Sequence, residues 1–381
     1  MAKSLISTWR ILVIVCFMLS WLAPSTVAQG VKDQRVAGHR IIKVYDYKNT
    51  GVIMSGFGPI FQDRVGRYWL ANIFNGVYLF DEEKNLWKAF TKEVGGSPSN
   101  YLKGIGQSSD NGLWFVPWEQ SAGVTLFDGA RWQKLRLDYK QPNLKRRVSA
   151  LFPGRDGRLW FAIEHELICL DNQSWSAPLN LPELIEGWRP LPPEQEEQMM
   201  LNIMRRRERE TQALVPEIRH KITGGMQDKE GYIWLRTYSG IVRFDERNGE
   251  WKKYPRDNTS MVDTIYEDRR NRIWFADRRG KLDIYDKQKG TWASYDIKDY
   301  LPPDDRKDEF LNLTSVYQDK AGRMMFATFK GLVVFDEGKN AWEVLTNKNS
   351  DLPDSAIYTI LENRAGNICI STGKGIVVLE P

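Results

Sequence analysis

The sequence predicts an all-β chain closed into a seven-bladed β-propeller. Three observations predict it: a unit of four short strands spelled seven times, tryptophans at two fixed places in that unit, and a last unit whose missing strand stands at the opposite end of the chain. The clearest copy is residues 226–254, MQDKEGYIWLRTYSGIVRFDERNGEWKKY. It reads as a strand ending at Gln227, then strands over 232–237, 241–244 and 250–254. Between them stand the turn signals Asp228…Gly231, Tyr238-Ser239-Gly240 and Asp245…Gly249. Each strand mixes β-branched or aromatic residues with polar ones, as a half-buried pleated surface requires.

Aligned on Trp234, the other units place Trp69, Trp114, Trp160, Trp274, Met325 and Cys369 at the same point, at intervals of 45, 46, 74, 40, 51 and 44 residues. A period near 40–50 residues with four strands per unit is the propeller signature. Three residues before that point stand Gly231, Gly66, Gly157, Gly322 and Gly366, replaced by Asn111 and Asn271 in the remaining two units. A tight hairpin that ends in a left-handed residue takes Gly, or Asn in its place. Gly240…Asp245 is echoed by Gly76…Asp81, Gly123…Asp128, Gly331…Asp336 and Gly375…Glu380, and more loosely by Glu166…Asp171 and Gly280…Asp286. The second tryptophan is Trp251, Trp87, Trp132, Trp175, Trp292 or Trp342; the seventh unit has none. Residues 40–45, with Ile42 in the Trp251 place, are expected to supply its outer strand, because a ring closed in this way leaves no open edge.

The stretch 351–376 carries a resemblance. Its Leu352-Pro353 turn, its Gly366 three before Cys369 and its Thr372-Gly373-Lys374-Gly375 resemble the two-component regulator propeller repeat, as do Asp228, Gly231, Trp234 and Gly240 in 227–240. The resemblance covers nearly all of residues 40–381. It implies the periplasmic sensor part of a membrane-bound histidine kinase. The chain departs from that plan at Pro381, where no membrane helix and no kinase follow, so a sensor role is implied by the resemblance alone.

Residues 1–28 read as a secretory signal peptide: Lys3 and Arg10, an apolar run from Ile11 to Leu22, and small residues at Thr26-Val27-Ala28. Its removal takes the formal charge from +5 to +3, since it carries those two cations and no acid. The expectation is a periplasmic or extracellular protein with no membrane insertion after cleavage. No basic domain for nucleic acid stands out. Residues 29–39 read as a linker. The long interval after Trp160 holds an insertion, 178–220, Pro-rich at first and helical over its second half, where acids precede bases. Met200, Ile203 and Met204 make one apolar stripe there, suited to packing on the rim or to a partner. Cys169 and Cys369 fall on distant blades and read as small buried hydrophobes, not a disulfide. His39, His165 and His220 make no metal spacing, and no metal or cofactor is expected.

Strand order decides which loops cooperate. Loops between second and third strands share one face with the blade-to-blade connections, including the insertion and the Pro- and Asp-rich segment 295–311. Function is expected there. Arg236, Arg278, Arg279, Lys330 and Lys374 form a basic arc over blades 4 to 7, with Tyr238, Phe329 and Trp118 as stacking surfaces. Together they predict a site for an anionic saccharide or a protein partner. Glu119 and Glu164 face them from blades 2 and 3, and are the pair that a glycosidase or lyase would use. That carbohydrate-active enzyme is the alternative reading; no catalytic residue is assigned. The hairpin residues Asp63, Asp228, Asp268 and Asp319 recur once per blade, which suits turn capping and not a calcium cage. Ser108…Asp110…Gly112…Phe115 has the spacing of a sialidase Asp box, itself a structural device.

Overall fold

Hairpin signals and strand patterns act together to give seven antiparallel sheets. The computed structural model describes residues 34–52, 57–72, 76–91, 99, 102–117, 123–135, 148–163, 166–171, 174–176, 179–180, 222–237, 240–254, 262–307 and 310–381. In blade 4 the four strands are Ile222–Gln227, Ile233–Thr237, Gly240–Asp245 and Glu250–Tyr254, hydrogen-bonded in chain order. The same order recurs in blades 1, 2, 5 and 6.

Blade 7 closes the ring. Its strands Ile357–Glu362, Ile368–Thr372 and Gly375–Leu379 are completed by His39–Asp46, with Tyr45 opposite Ile376 and Val44 opposite Val377. A register shift between Ile41 and Lys43 corrects the sequence alignment. Ile41, not Ile42, stands opposite Leu379, as Trp251 stands opposite Phe244. Ile41 is buried between blades 6 and 7, while Ile42 packs toward blade 1. Arg35–Val36, inside the segment expected to be linker, adds a fifth strand through a turn at Ala37 and Gly38, whose φ values are 51° and 78°.

Seven apolar clusters lie one at each interface between blades, blade 7 against blade 1 included. Each contains one first-position side chain, Trp69, Trp114, Trp160, Trp234, Trp274, Met325 or Cys369, facing the next blade. A buried indole N–H needs an acceptor. Trp69, Trp234 and Trp274 donate to Asp63, Asp228 and Asp268 at 2.9, 2.7 and 2.9 Å, and Trp114 donates to Ser108 Oγ at 3.0 Å. Trp160 breaks the rule. Its Nε1 is buried without a partner, because Gly154 occupies the acceptor position six residues before it.

The same aspartates cap their turns, as the sequence suggested. Asp228 Oδ1 accepts the backbone N–H of Glu230 and Tyr232 at 3.1 and 2.9 Å. In blade 6, where Met325 replaces the indole, His39 Nε2 lies 3.2 Å from Asp319 Oδ2 instead. A second seam comes from the ends of four inner strands. The carbonyl oxygens of Gln62, Gln107, Gln227 and Gln318 accept the N–H of Arg364, Arg64, Arg155 and Arg269 of the preceding blade at 2.7 to 3.0 Å. Their amide groups donate to their own hairpins at Gly66, Asn111, Gly231 and Gly322. A side chain that must accept across an interface and donate within its turn has to be an amide.

Blade 3 is the irregular one. Its outer edge is split into Ser174–Trp175 and Leu179–Asn180, both paired to the third strand. The rest of the expected insertion, and its helix, lie outside the described residues.

Candidate functional site

The acidic groups come first, because they decide whether a metal fits. Asp228, Glu230 and Glu267 bring carboxylate oxygens within 4.8 Å of one another. Lys287 Nζ sits among them, 3.1 Å from Asp228, 2.8 Å from Glu267 and in contact with Glu230. Burial depresses the Lys287 ammonium, but these carboxylates outweigh it and hold its pKa above the ordinary value. The cluster is a salt-bridge seam between blades 4 and 5. The Asp-box serine is structural too: Ser108 takes the Trp114 N–H and bonds Asp110.

The opposite face, where second-to-third strand turns and blade connections meet, is built differently. The inner strands of blades 2, 3, 4, 5 and 7 share a register shift after their first residue. Such a bulge re-aims the extra side chain. Here the extra residues are Lys103, Ser149, Thr223, Asp263 and Tyr358. Ser149 and Thr223 donate to the carbonyls of Ala162 and Arg236 at 3.1 and 3.3 Å. Asp263 instead accepts the Arg278 N–H at 2.8 Å and its guanidinium at 3.0 Å. Tyr358 meets Phe329 edge to face, ring centres 5.1 Å apart.

The expected site residues fall into place around these bulges. Arg236 lies across Gly224, where any β-carbon would sit 1.9 Å from its Nε, and reaches the Val262 carbonyl of the next blade at 3.4 Å. Arg278 is forked to Asp263. Arg279 lies 5.9 Å from the Phe310 ring centre, and Lys330 Nζ is 3.6 Å from Asp305. Lys374 is exposed, and Phe329 is 38% exposed. Trp118, Tyr238, Glu119 and Glu164 lie outside the described residues. Described residues at and next to the two ends of the 295–311 connection are hydrogen-bonded to this platform. Leu311 and Asn312 both donate to the Arg278 carbonyl at 2.8 Å, and Ile297 donates to Gly280 at 2.9 Å. Gly280 has φ +101°, and a β-carbon there would meet Leu311 at 2.5 Å.

Sequence reasoning missed Tyr358 and the acids Asp263, Asp305 and Asp354. The basic arc therefore carries its own counter-charges. Tyr358 was findable as the one aromatic at the bulge position among these five inner strands. Burial first, then the Asp354 charge, pushes its hydroxyl pKa up, so it stays a donor.

No protein-family model and no curated protein matches this sequence. Solved structures do resemble it. The extracellular domain of BT4673 from B. thetaiotaomicron, assigned as a one component system, is 18% identical with a TM-score of 0.57, over 85% of this chain and 38% of that one. The chain thus spans well under half the length of that domain. Virginiamycin B lyase from Staphylococcus aureus is 11% identical with a TM-score of 0.60, over 89% of this chain and 98% of the lyase. PorZ, a surface component of the type-IX secretion system of Porphyromonas gingivalis, is 14% identical with a TM-score of 0.58, over 85% of this chain and 46% of PorZ. These likenesses establish the fold. Sensor domains, a lyase and a secretion component share the propeller, so the site decides function. Among the described residues no helix is long and apolar enough to cross a membrane.

Proposed function

We propose that this propeller is an exported, non-catalytic binding protein of the extracytoplasmic sensor type, and that it holds an acidic oligosaccharide on the face bearing Arg278, Phe329 and Tyr358. The observation that carries the reading is the exposed Phe329 ring set edge-on to Tyr358, on the face that also carries the charged pairs Arg278–Asp263 and Lys330–Asp305. A sugar ring stacks on Phe329 by its C–H face, its hydroxyls meet Tyr358 and Asp263, and a ligand carboxylate meets Lys374 or Arg279. Likeness to sensor extracellular domains supports the export and sensing parts of this reading.

The test is calorimetric titration with oligogalacturonates and sulfated oligosaccharides, against wild type and the Phe329→Ala/Arg278→Ala double variant. Affinity should fall about tenfold or more in the variant and weaken with added salt, since exposed charge pairs are screened. Unchanged binding in the variant sinks the site. A lyase acting on such saccharides is the second reading, favoured by the near full-length likeness to virginiamycin B lyase. Release of unsaturated products from the same oligosaccharides would replace the first reading with this one.

A further inference from the structure

Blade 5 ends in an outer strand unlike the others. An exposed sheet edge offers unpaired N–H and C=O groups, and proteins protect such edges with charge, cover or irregularity. Lys88, Lys134, Lys252 and Glu343 stand exposed within the outer strands of blades 1, 2, 4 and 6. Arg35–Val36 covers the edge of blade 7, and the edge of blade 3 is split. Blade 5 has none of these devices. Its outer strand, Thr291–Asp296, is 6 residues long, carries no charge before Asp296, and exposes Thr291, Trp292, Ala293 and Ser294. Among the described residues no strand pairs outside it. Blade 7 shows that this fold accepts a fifth strand in that place.

Two further departures flank this edge on the side of blade 4. Trp292 is 42% exposed, whereas the other second-position tryptophans are half-buried; Trp342 is covered by Tyr300, stacked on it at 4.4 Å. The facing wall of blade 4 is cationic. Arg243 stands opposite the first-position residue, where every other third strand carries an aliphatic residue or a cysteine, and Lys252 pairs with it from the outer strand. The Arg243 guanidinium lies 4.1 Å from the Tyr232 ring centre. Lys252 is exposed, its Nζ 5.1 Å from the Tyr254 ring centre, and the Trp292 ring lies 6.0 Å from that same ring.

In blades 1, 4 and 6 a glutamate after the third strand, Glu82, Glu246 or Glu337, pairs with a cation of the preceding blade. Lys287 holds that place in blade 5, so no such carboxylate reaches across to Arg243 or Lys252. The acids nearby are committed. Asp245 is forked by Arg247 at 2.8 and 2.9 Å, and buried Asp283 is bonded to Ser294. Among the described residues neither the Arg243 nor the Lys252 side chain is ion-paired.

We propose that the outer edge of blade 5 is a docking site for a partner protein, which adds an extended acidic segment there as a fifth strand. Main-chain hydrogen bonds to Thr291–Asp296 supply affinity, and alternate side chains supply specificity. On the blade 4 side an apolar residue of the segment packs on Trp292, and acids two positions away along the same strand face meet Lys252 and Arg243. The edge lies on the rim, and the proposal does not depend on the oligosaccharide site.

The experiment is an anisotropy titration of the full chain with a fluorescein-labelled nonapeptide that has threonine at even positions and Glu, Val, Glu, Val and Glu at odd ones. Its Kd should be about 100 μM or tighter. Affinity should fall about tenfold when lysine replaces each glutamate of the peptide. Hydrogen–deuterium exchange should slow at the amides of 291–296 in the complex. Ala293→Glu puts a repelling charge on the exposed edge and should abolish binding. Lys252→Glu should weaken binding about threefold or more and leave Tm unchanged. Phe329→Ala should leave the affinity as it is. No binding, equal binding of the glutamate and lysine peptides, or protection away from 291–296 overturns the proposal. So does a free chain that dimerises while its Ala293→Glu variant stays monomeric, since the edge then belongs to a second copy.

Discussion

The two faces of the ring are built by opposite rules. On the face of the first hairpins, blade after blade repeats one solution: an aspartate that caps its turn and takes an indole N–H, and a glutamine that ties the turn to the preceding blade. On the other face the bulge residues differ in what they do from blade to blade. Ser149 and Thr223 bond back to the strand, Asp263 clamps an arginine, and Tyr358 meets an exposed phenylalanine. Repetition fits a part whose job is the same in every blade, which is holding blades together. Variation on a rigid frame fits a surface shaped to one ligand.

Substitutions should separate the faces. The largest stability loss is expected at the repeated interface core. Trp234→Ala empties a fully buried site and should cost ~3–5 kcal/mol in denaturant unfolding. A loss under about one kcal/mol would contradict its place in the core. Asp268→Ala strands the Trp274 N–H and two backbone N–H groups and leaves Arg272 to Glu337 alone, and should cost about 3 kcal/mol. Neither change should alter oligosaccharide affinity once the protein is folded.

Gly154→Asp sharpens the comparison by repairing the one blade where this hydrogen bond is missing. It should stabilise by about 1 kcal/mol. The added β-carbon stands 3.2 Å from the Arg158 carbonyl oxygen, Trp160 Nε1 and Gln227 Oε1, so both the hairpin backbone and the Gln227 side chain must give slightly. Unchanged or lower stability would show that the slot cannot take a carboxylate.

A pH experiment probes the charged seams of the same face. Hydrogen bonds from Arg272 hold the Glu337 carboxyl below its ordinary 4.5, despite opposing burial. A depressed pKa gives stability that is present above 4.5 and lost as pH falls through the lower folded value. The wild-type advantage over Glu337→Gln, about 1 kcal/mol at neutral pH, should shrink between about pH 5 and pH 3. An advantage that grows on acidification would contradict the fork. The smallest stability effect belongs to the variable face: Phe329→Ala should change stability by no more than about 0.5 kcal/mol.

The sequence was most legible where the chain repeats itself. Trp234, Gly231 and the absent seventh outer tryptophan were enough to give seven blades and the strand that closes the last. It was less legible where register decides. Ile42 looked like the closing residue, but a bulge turns it away and puts Ile41 in place. The Gln62, Gln107, Gln227 and Gln318 seam went unread because an amide at a strand end looks like ordinary surface polarity until the neighbouring blade is present. At the candidate site, Arg278 and Lys330 were visible as cations on turns. Their partners Asp263 and Asp305 come from a bulge and a long connection, and no periodicity announces either.

The most direct measurement is hydrogen–deuterium exchange of the full chain with and without the oligogalacturonate that titrates tightest. Protection should concentrate in the backbone amides of 277–281, 328–331 and 357–359, which form the variable face, while 63–67, 228–232 and 268–272 on the repeated face stay unchanged. Protection confined to those repeated hairpins, with none near Phe329 and Tyr358, would contradict the division of labour between the two faces.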